Sequence, residues 1–296
     1  MSHVQRRVTT ALALLFSTAA AHGAELVATP LAEPSARHAA HVGLDAAFTT
    51  SPHGPTVDTF GTALRLAGDY HFENGVALTL DGGFVSESLA VEDDSPRHGV
   101  FPGNLLLGAA FERKLRAELD GALSLRVGAP LALYSGGIDD NRLAELAYTV
   151  ASSAQGFREP FVWQMNVVPL VLGVAAAWHM PRWALLTAEL SPSYLISVNQ
   201  RPSRAALSAH LDWALQHGAL IGHVGLNYFA STLPLENRDR DQLALRFGAA
   251  ILVAKQRVGV DVSFGLDTPY GANQTDPHPW WGMALVVDSY FGPRRP

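Results

Sequence analysis

From residue 42 onward the chain runs through about twelve segments of about ten residues in which apolar side chains alternate with small or polar ones. The apolar set of these segments carries no charged residue. Successive strand residues point to opposite faces of a sheet, so each segment has one face compatible with hydrocarbon and one bearing Gly, Ser, Asp or Arg. That pattern predicts an all-β fold, a transmembrane antiparallel up-and-down β-barrel with lipid outside and a polar interior. The first strand sets Val42, Leu44, Ala46 and Phe48 against Gly43, Asp45 and Ala47. The second sets Leu64, Leu66 and Tyr70 against Arg65, Asp69 and His71, and the last sets Met283, Leu285, Val287 and Phe291 outward.

Composition separates this reading from a soluble sandwich, whose strands also alternate because one face packs a core. Lys114 and Lys255 are the only lysines, whereas a wetted sheet of this size scatters many over its solvent faces. With no cysteine, disulfides and thiolate metal sites are excluded, leaving hydrogen bonding and ring closure to hold the fold. A net charge of −6 without a basic stripe gives no reason to expect a nucleic-acid partner.

The N-terminus has the layout of a secretory signal. Arg6 and Arg7 form a basic region, Val8 to Phe16 an apolar one, and Ser17 to Ala24 a small-residue stretch offering cleavage after Ala21, Gly23 or Ala24. The apolar run is far short of the roughly 20 residues a spanning helix needs. The expected division is a signal peptide over 1–23 and a leader over 24–38, periplasmic or folded into the lumen. The barrel would follow over 39–291, with an extension over 292–296.

Connections alternate in length. Those around Asn74, Lys114, Pro181, Gly218 and Lys255 are short, while Ser51 to Val57, Ser86 to Pro102, Ala129 to Glu159, Asn199 to Arg204, Ser231 to Asp241 and Thr268 to Pro279 are read as mostly longer loops. Aromatics mark both ends of the apolar band, with Phe48, Phe60, Phe84, Tyr194, Tyr228 and Trp281 on the loop side and Phe72, Phe111, Trp178, Trp213 and Phe291 on the turn side. The segment Gly282 to Phe291, alternating and ending in an aromatic, resembles the final strand of bacterial outer-membrane β-barrel proteins of the porin and channel class, although Gly292 to Pro296 follow it. The resemblance implies the outer membrane of a diderm bacterium, with outer-membrane lipid and the barrel-assembly machinery as partners, and an even strand count with short periplasmic turns and long external loops returns both termini to the periplasm.

The inward faces collect Asp45, Asp69, Asp81, Glu112, Asp120, Glu189, Asp212, Asp261, Asp267 and Asp288 against Arg65, Arg126 and Arg246. An acidic lumen concentrates cations, so small polar or cationic solutes are the expected cargo. The competing reading has the charges neutralise one another, since the Asn74 turn brings Arg65 opposite or diagonal to Asp81 and the Gly218 turn brings Asp212 toward His223. In the longest loop, after Asp139 and Asp140, the residues Leu143, Leu146, Ala147, Val150 and Ala151 fall on one helical face. That loop helix either constricts the pore or caps its mouth.

Ser208, His210 and Asp212 form a lumen stripe with the side-chain types of a nucleophile, base and orienter. Residues two apart on a strand stand about 7 Å apart, which argues against direct hydrogen bonds. His38, His41, Asp93, Asp94 and His98 lack metal-ligand spacing, and no Walker motif or HExxH is present, so no metal or cofactor is expected. The expectation is a small-solute or ion channel with a loop-narrowed acidic lumen. A lipid or ester hydrolase and a non-conducting structural or adhesion barrel remain as alternatives.

Overall fold

The structure, a computed structural model, describes residues 40–52, 57–91, 97–131, 133, 147–148, 151–152, 158–180, 183–198, 202–232, 241–266 and 280–291. Among them run thirteen strands: β1 Ala40–Pro52, β2 Val57–His71, β3 Val76–Val91, β4 Arg97–Pro102, β5 Leu105–Arg116, β6 Leu119–Ala129, β7 Val167–His179, β8 Ala184–Ser197, β9 Arg204–His217, β10 Leu220–Ser231, β11 Asp241–Val253, β12 Gln256–Gly265 and β13 Trp281–Phe291. Consecutive strands pair antiparallel, except that β4 and β5 both pair with β3, and β1 pairs with β13, which closes the ring. Because β4 and β5 follow one another along β3, they fill a single position, so the barrel has 12 strands.

Closure follows from the solvent. Hydrocarbon offers nothing to hydrogen-bond an open strand edge, so the backbone must satisfy itself around the whole ring. The outward faces match this setting: Leu64, Leu66, Leu78, Leu80, Leu107, Leu123, Leu125, Leu172, Val174, Leu190, Leu211 and Val260 are all exposed, while Asp45, Arg65, Asp81, Arg246 and Asp288 are buried inside. Phe72, Phe111, Trp178, Trp213 and Phe291 lie exposed on the outward face toward the short-turn rim, and Phe84, Tyr194 and Trp281 toward the opposite one. Ala40 stands opposite Phe291 in the seam, placing the start of β1 and the end of β13 on the short-turn rim. At that rim Gly75, with φ 82°, and Gly218, with φ 60°, occupy the left-handed conformation that a tight hairpin needs. Among the described residues no helix is long and apolar enough to cross a membrane.

One expectation needs correction. Ser86 to Pro102 is not mainly a loop, because β3 runs on to Val91 and β4 returns from Arg97. Here the inward positions Val85 and Phe101 are apolar and buried, so polarity does not mark the inward face. The helical stretch of the long connection packs onto the apolar core. Residues 147–148 and 151–152 are helical, and Ala147 and Ala151 are wholly buried. Leu143, Leu146 and Val150, with Asp139 and Asp140, lie outside the described residues, as does Asp267.

Leu190, exposed near the middle of β8, tests the inside-out assignment. Leu190→Arg should lower stability in bilayers by about 2–4 kcal/mol, and Glu189→Gln, on the lumen face one residue away, should cost much less. Denaturant titration of both variants refolded in vesicles measures this. Equal losses would mean that the two faces are interchanged.

Candidate functional site

The lumen is divided by a segment that enters it from the long β6–β7 connection. After Arg158 and Glu159, Pro160–Trp163 form a 3-10 turn, with Pro at its start where no intrahelical N–H is required. Phe161, Val162 and Trp163 are almost completely buried. Their surroundings are the inward residues Ala47, Ala63, Val85, Phe101, Leu106, Val171, Leu195, Phe229 and Ala244, so the loop-side half of the barrel holds an apolar core. Phe161 packs edge-on against Phe229, with ring centroids 6.1 Å apart. Burying such side chains contributes roughly 1.5–3 kcal/mol each.

A break in the wall receives this plug. Between β4 and β5, Gly103 and Asn104 leave the strand, and the Asn104 backbone N–H donates to Val162 O at 2.7 Å. The Asn104 amide also donates to Gln164 O at 2.7 Å and to Phe161 O at 3.2 Å. Trp163 lies against Gly83 and Gly103, where any side chain would collide with its ring. Tyr148 donates its hydroxyl to Pro102 O at 2.8 Å, tying the helical stretch to the same break.

Below the plug the wall becomes charged. Arg65 on β2 bridges Asp45 on β1, at 3.1 Å, and Asp81 on β3, with Nε 2.9 Å from its Oδ1. Across the lumen Arg246 on β11 donates to Asp261 on β12 at 2.8 Å and stands 3.6 Å from Asp212 on β9. His223 lies 3.1 Å from Asp261, so its carboxylate neighbour is that residue, not the expected Asp212. Nearer the short-turn rim, His71 meets Asp69 at 2.5 Å and Glu112 at 3.4 Å. His41 lies between Asp69, at 2.7 Å, and Asp288, at 2.9 Å, and Arg257 donates to Asp288 at 2.6 Å. These long side chains lie flat because glycines make room. A Cβ at Gly108 would strike Arg126, one at Gly225 would strike Asp212, and one at Gly248 would strike Asp261 and His223.

The plug joins this wall through charge as well. Arg126 Nη1 donates to Glu159 Oε2 at 2.6 Å, and its Nη2 lies 3.5 Å from Glu189. Burial pushes the Glu159 carboxyl up, but the Arg126 and Arg65 guanidiniums together outweigh burial and hold it below the usual carboxylate range. Arg158 Nη1 is 3.8 Å from Asp45. Under the plug lie connected spaces of about 320 Å³ and about 640 Å³, sharing Arg65, Arg158, Glu159 and Glu189 in their walls. The larger reaches the short-turn rim at His71, Glu112, Asp120 and His179.

The stripe of Ser208, His210 and Asp212 proves to be two arrangements. Ser208 and His210 lie in direct contact, Oγ to Nε2 at 2.9 Å, because side chains on one strand face lean together even though their backbones stay apart. The strand-spacing argument against that bond does not hold. His210 Nδ1 meets Asn227 Oδ1 on β10 at 2.9 Å, so the orienting side chain is Asn227, and Asp212 turns toward Arg246. Ser208 is wholly buried and borders neither space under the plug, whereas His210 borders the larger. Among the described residues, no group of His, Asp and Glu is placed to hold a metal.

Sequence reasoning missed Arg158, Glu159, Phe161 to Trp163, Asn104 and Arg257. One signal was available: Phe161, Val162 and Trp163 follow a proline and fit no alternating strand, so three large apolar residues lacked a lipid face to occupy.

No protein-family model matches the sequence, and no curated protein matches it. Solved structures share its architecture. An outer-membrane channel from Pseudomonas putida F1 aligns with a TM-score of 0.58 and 14% identity over 90% of this chain and 98% of that one. The NanC porin aligns with a TM-score of 0.53 and 8% identity over 84% and 98%. At such identities the likeness is one of fold, and the chain has the closed antiparallel barrel fold of outer-membrane porins and channels.

Proposed function

We propose that the protein is an outer-membrane passage for small polar solutes, closed in this conformation by its own inward-folded loop. The observation that carries this reading is the plug itself. A short apolar segment seals the loop-side half of a barrel whose other half is a hydrated, charged vestibule. Carboxylates outnumber guanidiniums on the vestibule wall, which supports a preference for cationic or cation-bearing solutes. The fold shared with outer-membrane channels supports the location. On this reading the signal peptide is removed on export, the barrel-assembly machinery inserts the chain, and both termini and the short turns face the periplasm.

Opening requires the plug to leave its seat. Trp163→Ala removes the side chain that fills the notch at Gly83 and Gly103, at a cost to docking of about 3–5 kcal/mol. Planar-bilayer recordings should show a mostly closed wild type and a Trp163→Ala variant with frequent long openings. A wild type and variant that are equally ion-tight, together with an ion-tight deletion of residues 158–164, would favour a filled structural barrel instead.

Acid should also open it. Docking lowers the Glu159 pKa, so the Arg126–Glu159 pair contributes fully above the ordinary carboxylate value of about 4.3 and is lost as pH falls through the depressed one. Open probability should therefore rise as pH drops below about 4. Glu159→Gln should be open more often at neutral pH and lose that acid response. An acid response that survives in Glu159→Gln would place the sensor elsewhere.

Cysteine labelling on intact cells checks orientation and plug together. With an impermeant reagent, Pro202→Cys in a long connection should react and Asn74→Cys in a short turn should not. Ala147→Cys should be protected until Trp163→Ala is added. Reaction at residue 74 alone would invert the topology.

A further inference from the structure

We infer that the vestibule beneath the plug is a binding site for small zwitterions, with a carboxylate and an ammonium group joined by a short methylene stem. The inference rests on reading the barrel as a solute passage and names the class of solute.

Most charges in the lumen are used up by one another, so those with unused capacity identify what the cavity can hold. Arg65, Arg126, Arg246 and Arg257 each touch a carboxylate within hydrogen-bond distance. Arg158 does not. Its side chain is 38% exposed, its ion-pair partner among the described residues is Asp45 at 3.8 Å, and it borders both spaces under the plug. A guanidinium in that position presents a planar fork of donors suited to a carboxylate.

Unused acceptors share the same 640 Å³ space. Glu189 is 37% exposed, with Oε1 accepting from Ser191 at 2.6 Å, which leaves Oε2 available. Asp212 is 29% exposed and stands 3.6 Å from Arg246, beyond hydrogen-bond distance. Ala122, Ala175 and Ala177 form an apolar stretch of the same lining. The volume lies within the range of roughly 300–1,000 Å³ usual for small-molecule sites.

These features select by charge at both ends. A simple cation meets the unsatisfied Arg158, and a simple anion meets Glu189 and Asp212, so each half-ligand gains one contact against one repulsion. A zwitterion gains both contacts, and its methylenes cover the alanines. Glu159 and Arg126, already paired, fix the backbone that carries Arg158.

Calorimetric titration of the full chain refolded in detergent micelles tests this, using 4-aminobutanoate with butanoate and butylammonium as the two halves. The zwitterion should bind saturably and about tenfold or more tightly than either half, the scale expected of one added charge-assisted contact. Arg158→Gln should reduce it to the level of butylammonium, and Glu189→Gln combined with Asp212→Asn to the level of butanoate. Arg158→Lys, which keeps the charge without the fork, should retain part of the affinity. Retained β-sheet circular dichroism and heat-shifted gel mobility identify the folded variants, on which these comparisons are read. Either half binding as tightly as the zwitterion, or unchanged binding in the folded variants, would overturn the site. Zwitterion binding by a protein that never conducts would leave the site standing and remove the passage reading. Conduction without binding would do the reverse.

Discussion

The structure depends on the absence of water around its outer surface. Every backbone N–H and C=O in the hydrocarbon must be paired within the chain, so the strands can terminate only by meeting one another. The seam between β1 and β13, running from Ala40 opposite Phe291 to Thr50 opposite Trp281, is therefore what makes the sheet viable in lipid. The same requirement leaves the interior as the one place where backbone may depart from the ladder. The break at Gly103 and Asn104 opens toward that interior, where the Asn104 N–H and side-chain amide are satisfied by carbonyls of the plug, while the Gly103 N–H keeps Gly83 O of the wall.

The two halves of the lumen use different physics. Toward the loops, large apolar residues exclude water and the plug is held by packing, Trp163 and Phe161 filling space that the barrel wall leaves with alanines and glycines. Toward the turns, charged side chains bridge neighbouring strands around an open space. Glu159 lies at the border and belongs to both, since its backbone continues into the apolar turn while its carboxylate completes the charged wall. A change at that residue is transmitted to packing without any long pathway.

The lipid face was legible from the sequence because hydrocarbon excludes charge, which leaves a clean two-residue period in strands such as β8 and β13. The lumen was legible only where it is polar. In the loop-side half the inward residues Val85, Phe101, Leu195 and Phe229 are as apolar as the lipid face, so polarity does not tell inside from outside, and the sequence of the β3–β4 hairpin reads as a loop. The pairing of Ser208 with His210, and of His210 with Asn227, depends on how side chains lean and on which residue of β10 stands beside β9. Spacing along one strand contains neither fact. Asn104 carries no signal of its own because its role is set by a segment some 60 positions away.

The glycines beneath the charged side chains bear on how the strands find their alignment during assembly. On the lipid face a slip of two residues exchanges one Leu, Val or Ala for another and costs little, so that face cannot specify alignment by itself. The lumen face can. Asp212 fits over Gly225, Arg126 over Gly108, and Asp261 with His223 over Gly248, and a two-residue slip sets each of these side chains against a residue that has one of its own. The notches and the charges act as a key cut along the inside of the wall. A barrel that is chemically monotonous toward the membrane thereby reads its own alignment from within.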